Sequence, residues 1–367
     1  MKEKKYTILI MSAPIGSGHA LAAQALQEEF TSTGKCEVVL GNAFDFFPKV
    51  LGTMVLEAYL FVLKKFPVLY EIAYRWGNNP GGSFWLRNLI NKSLAVIADS
   101  YLRKVSPDLV IATHATPAGI FSAYKERHSE SRILLASVIT DYTVHKWWLC
   151  KNTDFYFLGA ELDLGDCFGS GQQIFCHGIP VRKEFNADYD REVLRASYGW
   201  SPDETVCILM GGGEGLLPMQ DIINELGIGK NEDRSIRCVA ITGRNKVLER
   251  ELQKKYPEMQ VYGFTEEIPK LMHAADVLIS KAGGLTAAET LTTGLYYIVY
   301  RPLPGQEKEN AEYLRMAGAA VIAEAPSDVL RLIRSLPSNK EASAGNLGKP
   351  EAAKDIVRTL LCALADR

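Results

Sequence analysis

The residues best suited to chemistry in this chain are a histidine and three glycine-rich segments. The first segment, residues 13–19, follows a short apolar run and ends in His19. Glycines permit a tight turn with close ligand approach, and the free N–H groups at the start of the next helix favour an anion. Leu21 stands where the dinucleotide fingerprint has its third glycine, which disfavours a nicotinamide cofactor. A plain strand–helix turn remains the alternative, but His19 adds a titratable group that such turns seldom carry.

The second segment places Gly211, Gly212 and Gly213 directly after the apolar run 205–210. Successive residues without side chains let backbone N–H groups converge on phosphate oxygens where a helix begins. No Lys-Ser/Thr pair follows, so the segment is not a P-loop. A flexible connection is the alternative, and we favour a phosphate site.

The third segment combines a glycine pair with polar side chains at helical spacing. Gly283 and Gly284 follow a predicted strand and begin a helix that can receive another phosphate. Glu289 lies just over one helical turn further on, where a carboxylate can accept both hydroxyls of a ribose. Gln306 and Asn310 are spaced i, i+4 and share one helix face, so their amides are available to sugar hydroxyls. A capped helix with solvated polar residues is the alternative, and two such elements in succession disfavour it.

Strand and helix patterns alternate along the whole chain, which predicts an α/β protein with mostly parallel sheets covered on both faces. The predicted strands are 6–12, 37–41, 108–113, 133–139, 154–158, 205–210, 236–241, 259–262, 276–280, 296–300 and 319–323. The series occurs twice, so we predict two doubly wound domains with a cleft between them. The predicted boundaries are 1–182, 183–350 and a closing helix at 351–367. In such sheets ligands bind beyond the carboxyl ends of the strands.

Composition narrows the class of protein. The 367 residues are 47% hydrophobic and carry a net charge of -2, which excludes wholesale disorder and does not favour a nucleic-acid partner. No uncharged apolar stretch approaches the ~20 residues that span a bilayer, and the N-terminal run is too short for a signal core. The seven cysteines form no CxxC pair and are expected to be buried thiols. We expect a cytoplasmic chain.

Four motifs together resemble a known family. GGG (211–213), GFTEEIPKLM (263–272), SKAGGLTAAE (280–289) and PLPGQEKENA (302–311) are similar to the donor-binding half of GT-B glycosyltransferases. PGQEKEN and the segment TDYTVH (140–145) most resemble the branch of diacylglycerol glucosyltransferases and monogalactosyldiacylglycerol synthases. The first glycine loop departs from the family pattern, which commonly has a denser glycine run, but it keeps Gly-His.

This resemblance implies inverting transfer of a hexose from a UDP-sugar to the hydroxyl of diacylglycerol, with glucose favoured and galactose possible. It implies an acceptor (lipid)-binding domain at 1–182 and a UDP-sugar-binding domain at 183–350. His19 and Asp141 are then the catalytic candidates, either of them the base; His114 and His145 are weaker ones. The donor residues would be Gly211, Gly212, Gly213, Gly283 and Gly284 for the phosphates, Phe264 and Ile268 for uracil, Glu289 for ribose, and Gln306 and Asn310 for the hexose.

The family reaction needs no cofactor and no metal. Asp188 and Asp190 form a DxD pattern, which in another glycosyltransferase class binds Mn²⁺, but they lie in the predicted linker. Helix N-termini can take the metal's role beside the phosphates. Three other functions remain open: transfer of N-acetylglucosamine to a lipid-linked peptidoglycan precursor, UDP-sugar epimerisation, and a non-catalytic UDP-sugar sensor.

The composition of residues 46–98 predicts that this segment contacts an anionic membrane, at the inner face of the cell membrane. They hold six basic residues against two acidic ones and are rich in aromatic side chains. The basic residues are Lys49, Lys64, Lys65, Arg75, Arg87 and Lys92. Such mixtures suit the headgroup boundary. The Gly-rich stretch 78–83 is expected to be a mobile tip. A helical hairpin packed on the N-terminal sheet is the alternative, and the resemblance favours the membrane.

Overall fold

The fold was analysed in a computed structural model. It describes residues 5–14, 16–46, 52–54, 57–58, 61–62, 65–163, 167–228, 235–336 and 347–367. The chain forms two compact units. The first contains Met1–Arg182, Pro304–Gln306 and Glu351–Arg367, and the second contains Lys183–Leu303 and Glu307–Pro350. The helix predicted to close the chain thus belongs to the first unit.

The first unit is built on a parallel six-stranded sheet with the strand order β2-β1-β3-β4-β5-β6. Its strands are β1 (Tyr6–Ser12), β2 (Cys36–Asn42), β3 (Leu109–Ala112), β4 (Leu134–Val138), β5 (Phe155–Phe157) and β6 (Gln173–Phe175). The first five match predicted strands. The sequence prediction missed β6, because it is three residues long, lies at the sheet edge and is largely exposed.

Helices cover both faces of this sheet. They are α1 (Gly18–Ser32), α2 (Pro67–Gly77), α3 (Pro80–Val105), α4 (Ala115–Arg127) and, from the end of the chain, α12 (Ala352–Ala365). On one face, Leu26 and Phe30 of α1 pack with Ile356 and Leu360 of α12 against the sheet. On the other face, α3 and α4 supply the buried residues. The burial explains why α12 joins this unit although it comes last in the sequence.

The second unit repeats the architecture with the strand order β12-β11-β10-β7-β8-β9, again all parallel. Its strands are β7 (Thr205–Met210), β8 (Ile236–Ile241), β9 (Gln260–Tyr262), β10 (Val277–Ser280), β11 (Tyr296–Tyr300) and β12 (Val321–Ala323). Its helices are α5 (Arg191–Tyr198), α6 (Met219–Glu225), α7 (Lys246–Lys255), α8 (Ile268–Ala274), α9 (Gly284–Thr293), α10 (Gln306–Met316) and α11 (Pro326–Arg334). The first residue of α10, Gln306, is grouped with the first unit. All six strands match predicted ones, so the prediction of two doubly wound sheets is confirmed.

Two smaller predictions are wrong. The stretch 78–83 is not an open tip: only residues 78 and 79 separate α2 from α3, and the buried Ser83 donates a hydrogen bond to the Gly77 carbonyl. The cysteines are not all buried, since Cys167 and Cys362 are exposed.

Helix α3 is apolar on two opposite faces, but the unit covers only one of them. Leu94, Ala98 and Leu102 are buried against the sheet. Large apolar side chains of α2 and α3 are instead exposed, namely Val68, Leu69, Ile72, Trp76, Trp85, Leu89, Ile90, Val96 and Ile97. We call these nine residues the apolar surface. Exposed apolar side chains in such number are typical of a surface that contacts an apolar partner. Within the described residues, no helix has the length and hydropathy to cross a bilayer.

Candidate active site

The strand order of the first sheet brings three loops together. Because β1 lies between β2 and β3, the chain leaves β1 for one side of the sheet and later continues on the other side. Such a switch point opens a crevice at the carboxyl ends of the strands. The loop after β1 leads into α1, and His19 lies in the first turn of that helix. The segments after β3 and β4 supply Thr113 and Thr140. The predicted catalytic histidine therefore lies where doubly wound sheets bind ligands.

Two threonines fix the imidazole of His19. Its Nδ1 lies 2.8 Å from the carbonyl oxygen of Thr113 and 2.7 Å from the hydroxyl oxygen of Thr140. A carbonyl oxygen only accepts, so Nδ1 carries the proton and Nε2 keeps its lone pair. The hydroxyl of Thr113 also donates to the backbone carbonyl of His19. The sequence analysis missed both threonines, although each ends a strand beside a candidate residue.

Burial controls the charge of His19. Desolvation lowers its pKa to about 4, against the opposing hydrogen bond to Thr113. An exposed imidazole has a pKa of about 6.5, so burial shifts the pKa of His19 downward. The ring is therefore neutral throughout the physiological range and can accept a proton at Nε2.

Asp141 follows Thr140 and is buried. The side-chain amide of Gln306 donates a hydrogen bond to its Oδ2, and both residues belong to the first unit. A Cβ added to Gly159 would lie 2.6 Å from the Asp141 carbonyl oxygen, so only glycine permits this approach. The two predicted residues, one for the acceptor side and one for the hexose, are thus brought together.

The two weaker histidine candidates, His114 and His145, also have partners in the first unit. His114 caps α4, where its Nδ1 accepts from the Thr116 N–H at 3.1 Å, and its ring meets that of His19 edge-on at 4.7 Å. Burial lowers its pKa well below the usual value. His145 packs on Tyr74, with ring centroids 4.6 Å apart. Both of these weaker candidates thus make contacts within the first unit.

In the second sheet the switch point lies between β7 and β10. The two glycine-rich segments follow these two strands, and the Ser280 hydroxyl donates to the Met210 carbonyl at 2.7 Å. The second sheet therefore places both predicted phosphate loops side by side.

The loop at Gly211, Gly212 and Gly213 differs from its prediction in one respect. It does not open a helix directly, because α6 begins only at Met219. A Cβ on Gly211 would lie 2.7 Å from the backbone of Gly215, and Gly212 has a φ of +71°. The close packing of the turn explains part of the glycine run without any ligand.

The loop before α9 fits its prediction more closely. Gly283 is the N-cap of α9 and has no side chain that caps the helix. A Cβ at this glycine would have its nearest neighbour 4.0 Å away, so the space beside the helix start is open. The first N–H groups of a helix lack intrahelical partners and face an incoming anion. Glu289 lies in the second turn of the same helix and is buried.

Asn310 makes a contact that the sequence did not predict. It is fully buried, and its amide donates to the Ala282 carbonyl at 3.1 Å. Asn310 thus holds the loop before α9, and its contact with a hexose stays a prediction. Gln306 and Asn310 both lie on α10, as the spacing predicted.

The predicted uracil residues lie near the end of β9. Phe264 is exposed, and the guanidinium of Arg244 lies 5.4 Å from its ring centroid. Ile268 is the first residue of α8. An exposed ring and a helix start offer a stacking surface and backbone groups.

The DxD pattern has a structural explanation. Asp190 caps α5, since its carboxylate accepts from the Val193 N–H at 3.1 Å. In the described part of the chain, no group of three or more His, Cys, Asp or Glu side chains has the arrangement of a metal site.

Two family models match the two halves of the chain. The model of the monogalactosyldiacylglycerol (MGDG) synthase family matches residues 19–181, and that of the glycosyltransferase family 28 C-terminal domain matches residues 206–359. The chain is 28% identical over 348 residues to the processive diacylglycerol beta-glucosyltransferase of Bacillus pumilus, covering 91% of this chain and 87% of that protein.

Two solved structures share the fold. MurG of Acinetobacter baumannii is 16% identical, with a TM-score of 0.61 over 97% of this chain and 99% of MurG. The UDP-GlcNAc 2-epimerase of Neisseria meningitidis, solved with UDP-GlcNAc bound, is 14% identical with a TM-score of 0.59 over 97% of this chain and 100% of the epimerase. With both halves matched and the sheets and motifs as described, the chain is similar to the GT-B glycosyltransferases of the diacylglycerol glucosyltransferase and monogalactosyldiacylglycerol synthase family.

Proposed function

We propose that this enzyme transfers glucose from UDP-glucose to the hydroxyl of diacylglycerol, with inversion at the anomeric carbon and without a metal, at the surface of an anionic membrane. The observation that carries the proposal is the hydrogen bond from His19 Nδ1 to the Thr113 carbonyl, 2.8 Å long. It leaves Nε2 unprotonated at the ligand-binding edge of the first sheet.

The acceptor chemistry follows from this nitrogen. An alcohol becomes a competent nucleophile when a base removes its proton as the new bond forms. Nε2 of His19 takes the proton of the diacylglycerol hydroxyl, and the oxygen attacks the anomeric carbon of the glucose. The bond to UDP breaks on the opposite side, so the α-linked donor gives a β-linked product. The relative in Bacillus pumilus, whose name specifies the beta linkage, supports this stereochemistry.

Asp141 and Gln306 are assigned to the sugar. A carboxylate and an amide in contact offer complementary acceptors and donors to neighbouring hydroxyls. Asp141 remains the alternative base if His19 only positions the acceptor. Glucose is favoured over galactose on the name of the relative alone.

The donor is assigned to the loops of the second sheet. The start of α9 receives the pyrophosphate, and Glu289 accepts the ribose hydroxyls. Backbone N–H groups and the dipole of α9 stabilise the charge that develops on the departing UDP, which is the task a metal performs in other glycosyltransferases. Phe264 stacks on the uracil ring.

The membrane contact is assigned to the apolar surface. Diacylglycerol stays in the bilayer, so the enzyme must reach it there. Two of the basic residues have partners within the first unit. Arg87 binds the carbonyls of Lys146 and Leu149, and Lys92 pairs with Glu126 at 3.2 Å. Lys49 and Lys64 lie outside the described residues. Burial of apolar side chains, more than charge, should therefore drive attachment to the cytoplasmic leaflet.

A panel of donors and acceptors tests the function. UDP-glucose, UDP-galactose and UDP-N-acetylglucosamine are each incubated with diacylglycerol or with a lipid-linked peptidoglycan precursor, in the presence of a chelator. Glucosyl-diacylglycerol with a β anomeric signal in the NMR spectrum is expected. Transfer to the peptidoglycan precursor, epimerised donor without lipid, or UDP binding without any product would each replace the proposal by the corresponding alternative.

A further inference from the structure

Beyond the residues assigned to the donor, the second unit contains a largely buried ion pair between the segment after β10 and helix α10. Lys281 directly follows β10, and its Nζ lies 3.0 Å from Oε1 of Glu307. Their side chains are only 9% and 21% exposed. Such a pair is expensive to desolvate, and apolar residues of similar size often replace one without loss of stability. Stability alone therefore does not explain it.

Glu307 also holds a second loop. Its other oxygen, Oε2, accepts from the Leu303 N–H at 2.8 Å. One carboxylate thus joins the segment after β10 to the segment after β11. Each of its oxygens has one partner, so a change at either partner is transmitted to the other loop.

The same segment after β10 is tied down at two further points. The hydroxyl of Tyr297 donates to the Lys281 carbonyl at 2.8 Å, and Asn310 donates to the Ala282 carbonyl. Glu307 and Asn310 are three residues apart on α10, so both project from one face of the helix. These contacts end directly before Gly283, where the open helix start of α9 begins.

We propose that Lys281 and Glu307 are positioning residues of the donor site, which hold the start of α9 at the place where it receives the pyrophosphate. This inference rests on the proposed function. The pair acts through the backbone of residues 281–284 and does not touch the sugar nucleotide. Misplacing a preorganised group by about 1 Å can cost roughly a hundredfold. Removal of the pair should therefore weaken donor binding and spare the acceptor.

The test compares four variants with the wild type in UDP calorimetry, donor and acceptor kinetics and thermal unfolding. Glu307→Gln keeps an acceptor for Leu303 but removes the charge. K281M/E307L replaces the pair by apolar side chains of similar size, and Lys281→Arg keeps the cation. Lys270→Met is the matched control, because Lys270 pairs with Glu267 at 3.2 Å in the same unit but both side chains are more than 40% exposed.

We expect Glu307→Gln and K281M/E307L to weaken UDP binding and raise the donor KM by roughly ten- to a hundredfold. The acceptor KM, kcat at saturating donor and the Tm should stay close to wild type. Lys281→Arg should keep most of the affinity, and Lys270→Met all of it. Wild-type UDP affinity in K281M/E307L, or a loss that follows a lowered Tm in Glu307→Gln, overturns the inference. Failure of the wild type to bind UDP would instead overturn the proposed function.

Discussion

The Nδ1 atom of His19 lies 2.8 Å from the carbonyl oxygen of Thr113, and this contact sets the tautomer of the ring. The carbonyl is part of the backbone at the end of β3, so the sheet itself orients the imidazole. The proton is kept on the nitrogen that faces the protein, and the lone pair is kept on Nε2. A base of this kind is prepared before the substrate arrives.

Replacement of His19 by alanine should lower kcat by about 10²–10⁴ and leave UDP affinity unchanged, because the ring serves the acceptor. Single-turnover rates and UDP calorimetry measure the two effects separately. Since burial lowers the pKa of His19 to about 4, wild-type kcat should not fall between pH 8 and pH 5 through protonation of this group. Near-normal turnover of the alanine variant would make Asp141 the base.

Replacement of Thr140 by valine should lower kcat about three- to tenfold, the cost of one hydrogen bond to the ring. The hydroxyl oxygen of Thr140 lies 2.7 Å from His19 Nδ1, and valine keeps the shape without it. UDP affinity should not change. Thr242→Val is the control in the second unit, since it removes a buried hydroxyl that donates to the Tyr262 carbonyl and lies far from His19 in the sequence. Equal rates in the Thr140 variant and the wild type would mean that the Thr113 carbonyl alone orients the ring.

Replacement of Glu289 by alanine should weaken UDP binding at least tenfold, because each hydrogen bond to a charged group contributes about 1.5–3 kcal/mol. Calorimetry should show a similar loss of affinity for UDP and for uridine, because both ligands contain the ribose. Glu258→Ala removes an exposed carboxylate of the same unit and serves as the control. Unchanged UDP affinity would remove Glu289 from the donor site.

Replacement of His114 by asparagine should make stability less sensitive to acid. In the unfolded chain the imidazole binds a proton below a pKa of ~6.5, whereas burial holds its folded pKa well below that. The unfolded state therefore binds more protons as the pH falls below ~6.5, and the free energy of unfolding decreases. Asparagine can still cap α4 but does not titrate. Urea unfolding at pH 7.5 and pH 5 should show a smaller loss in the variant than in the wild type, and equal losses would contradict the assignment.

Serine at two positions of the apolar surface should weaken binding to vesicles that contain anionic lipid. V68S/I72S changes side chains of α2 that are 69% and 60% exposed. V193S/V247S is the matched control, with side chains 63% and 67% exposed in the second unit. Cosedimentation should fall only in the first variant, since each exposed apolar residue that enters the interface adds to the affinity. The same loss in both variants, or in neither, would place the membrane contact elsewhere.

The strands of both sheets were predictable because buried parallel strands are continuous runs of β-branched and apolar residues. Such a run can be recognised in the sequence without knowledge of the strands that pair with it. β6 lacks this signal, since Gln173 and Ile174 are exposed at the sheet edge. Its strand pairing with β5 arises from tertiary structure and leaves no pattern of its own in the sequence.

The candidate site residues also differ in how clearly the sequence marks them. The predictions for His19, Glu289 and Gln306 rest on their residue types and on their distance from the glycine loops. Burial cannot be read from spacing, so the contact of Asn310 with the Ala282 carbonyl was not predicted. The partnership of Lys281 with Glu307 joins residues far apart in the sequence, and only the fold brings them together.

One measurement tests the central claim most directly. Wild-type enzyme and His19→Ala are incubated with UDP-glucose and diacylglycerol in anionic vesicles, and the lipid extract is analysed by mass spectrometry together with UDP release. The account predicts glucosyl-diacylglycerol and an equal amount of UDP from the wild type, with both almost absent for the variant although it still binds UDP. Wild-type protein that binds UDP but forms no glycolipid under these conditions would contradict the account.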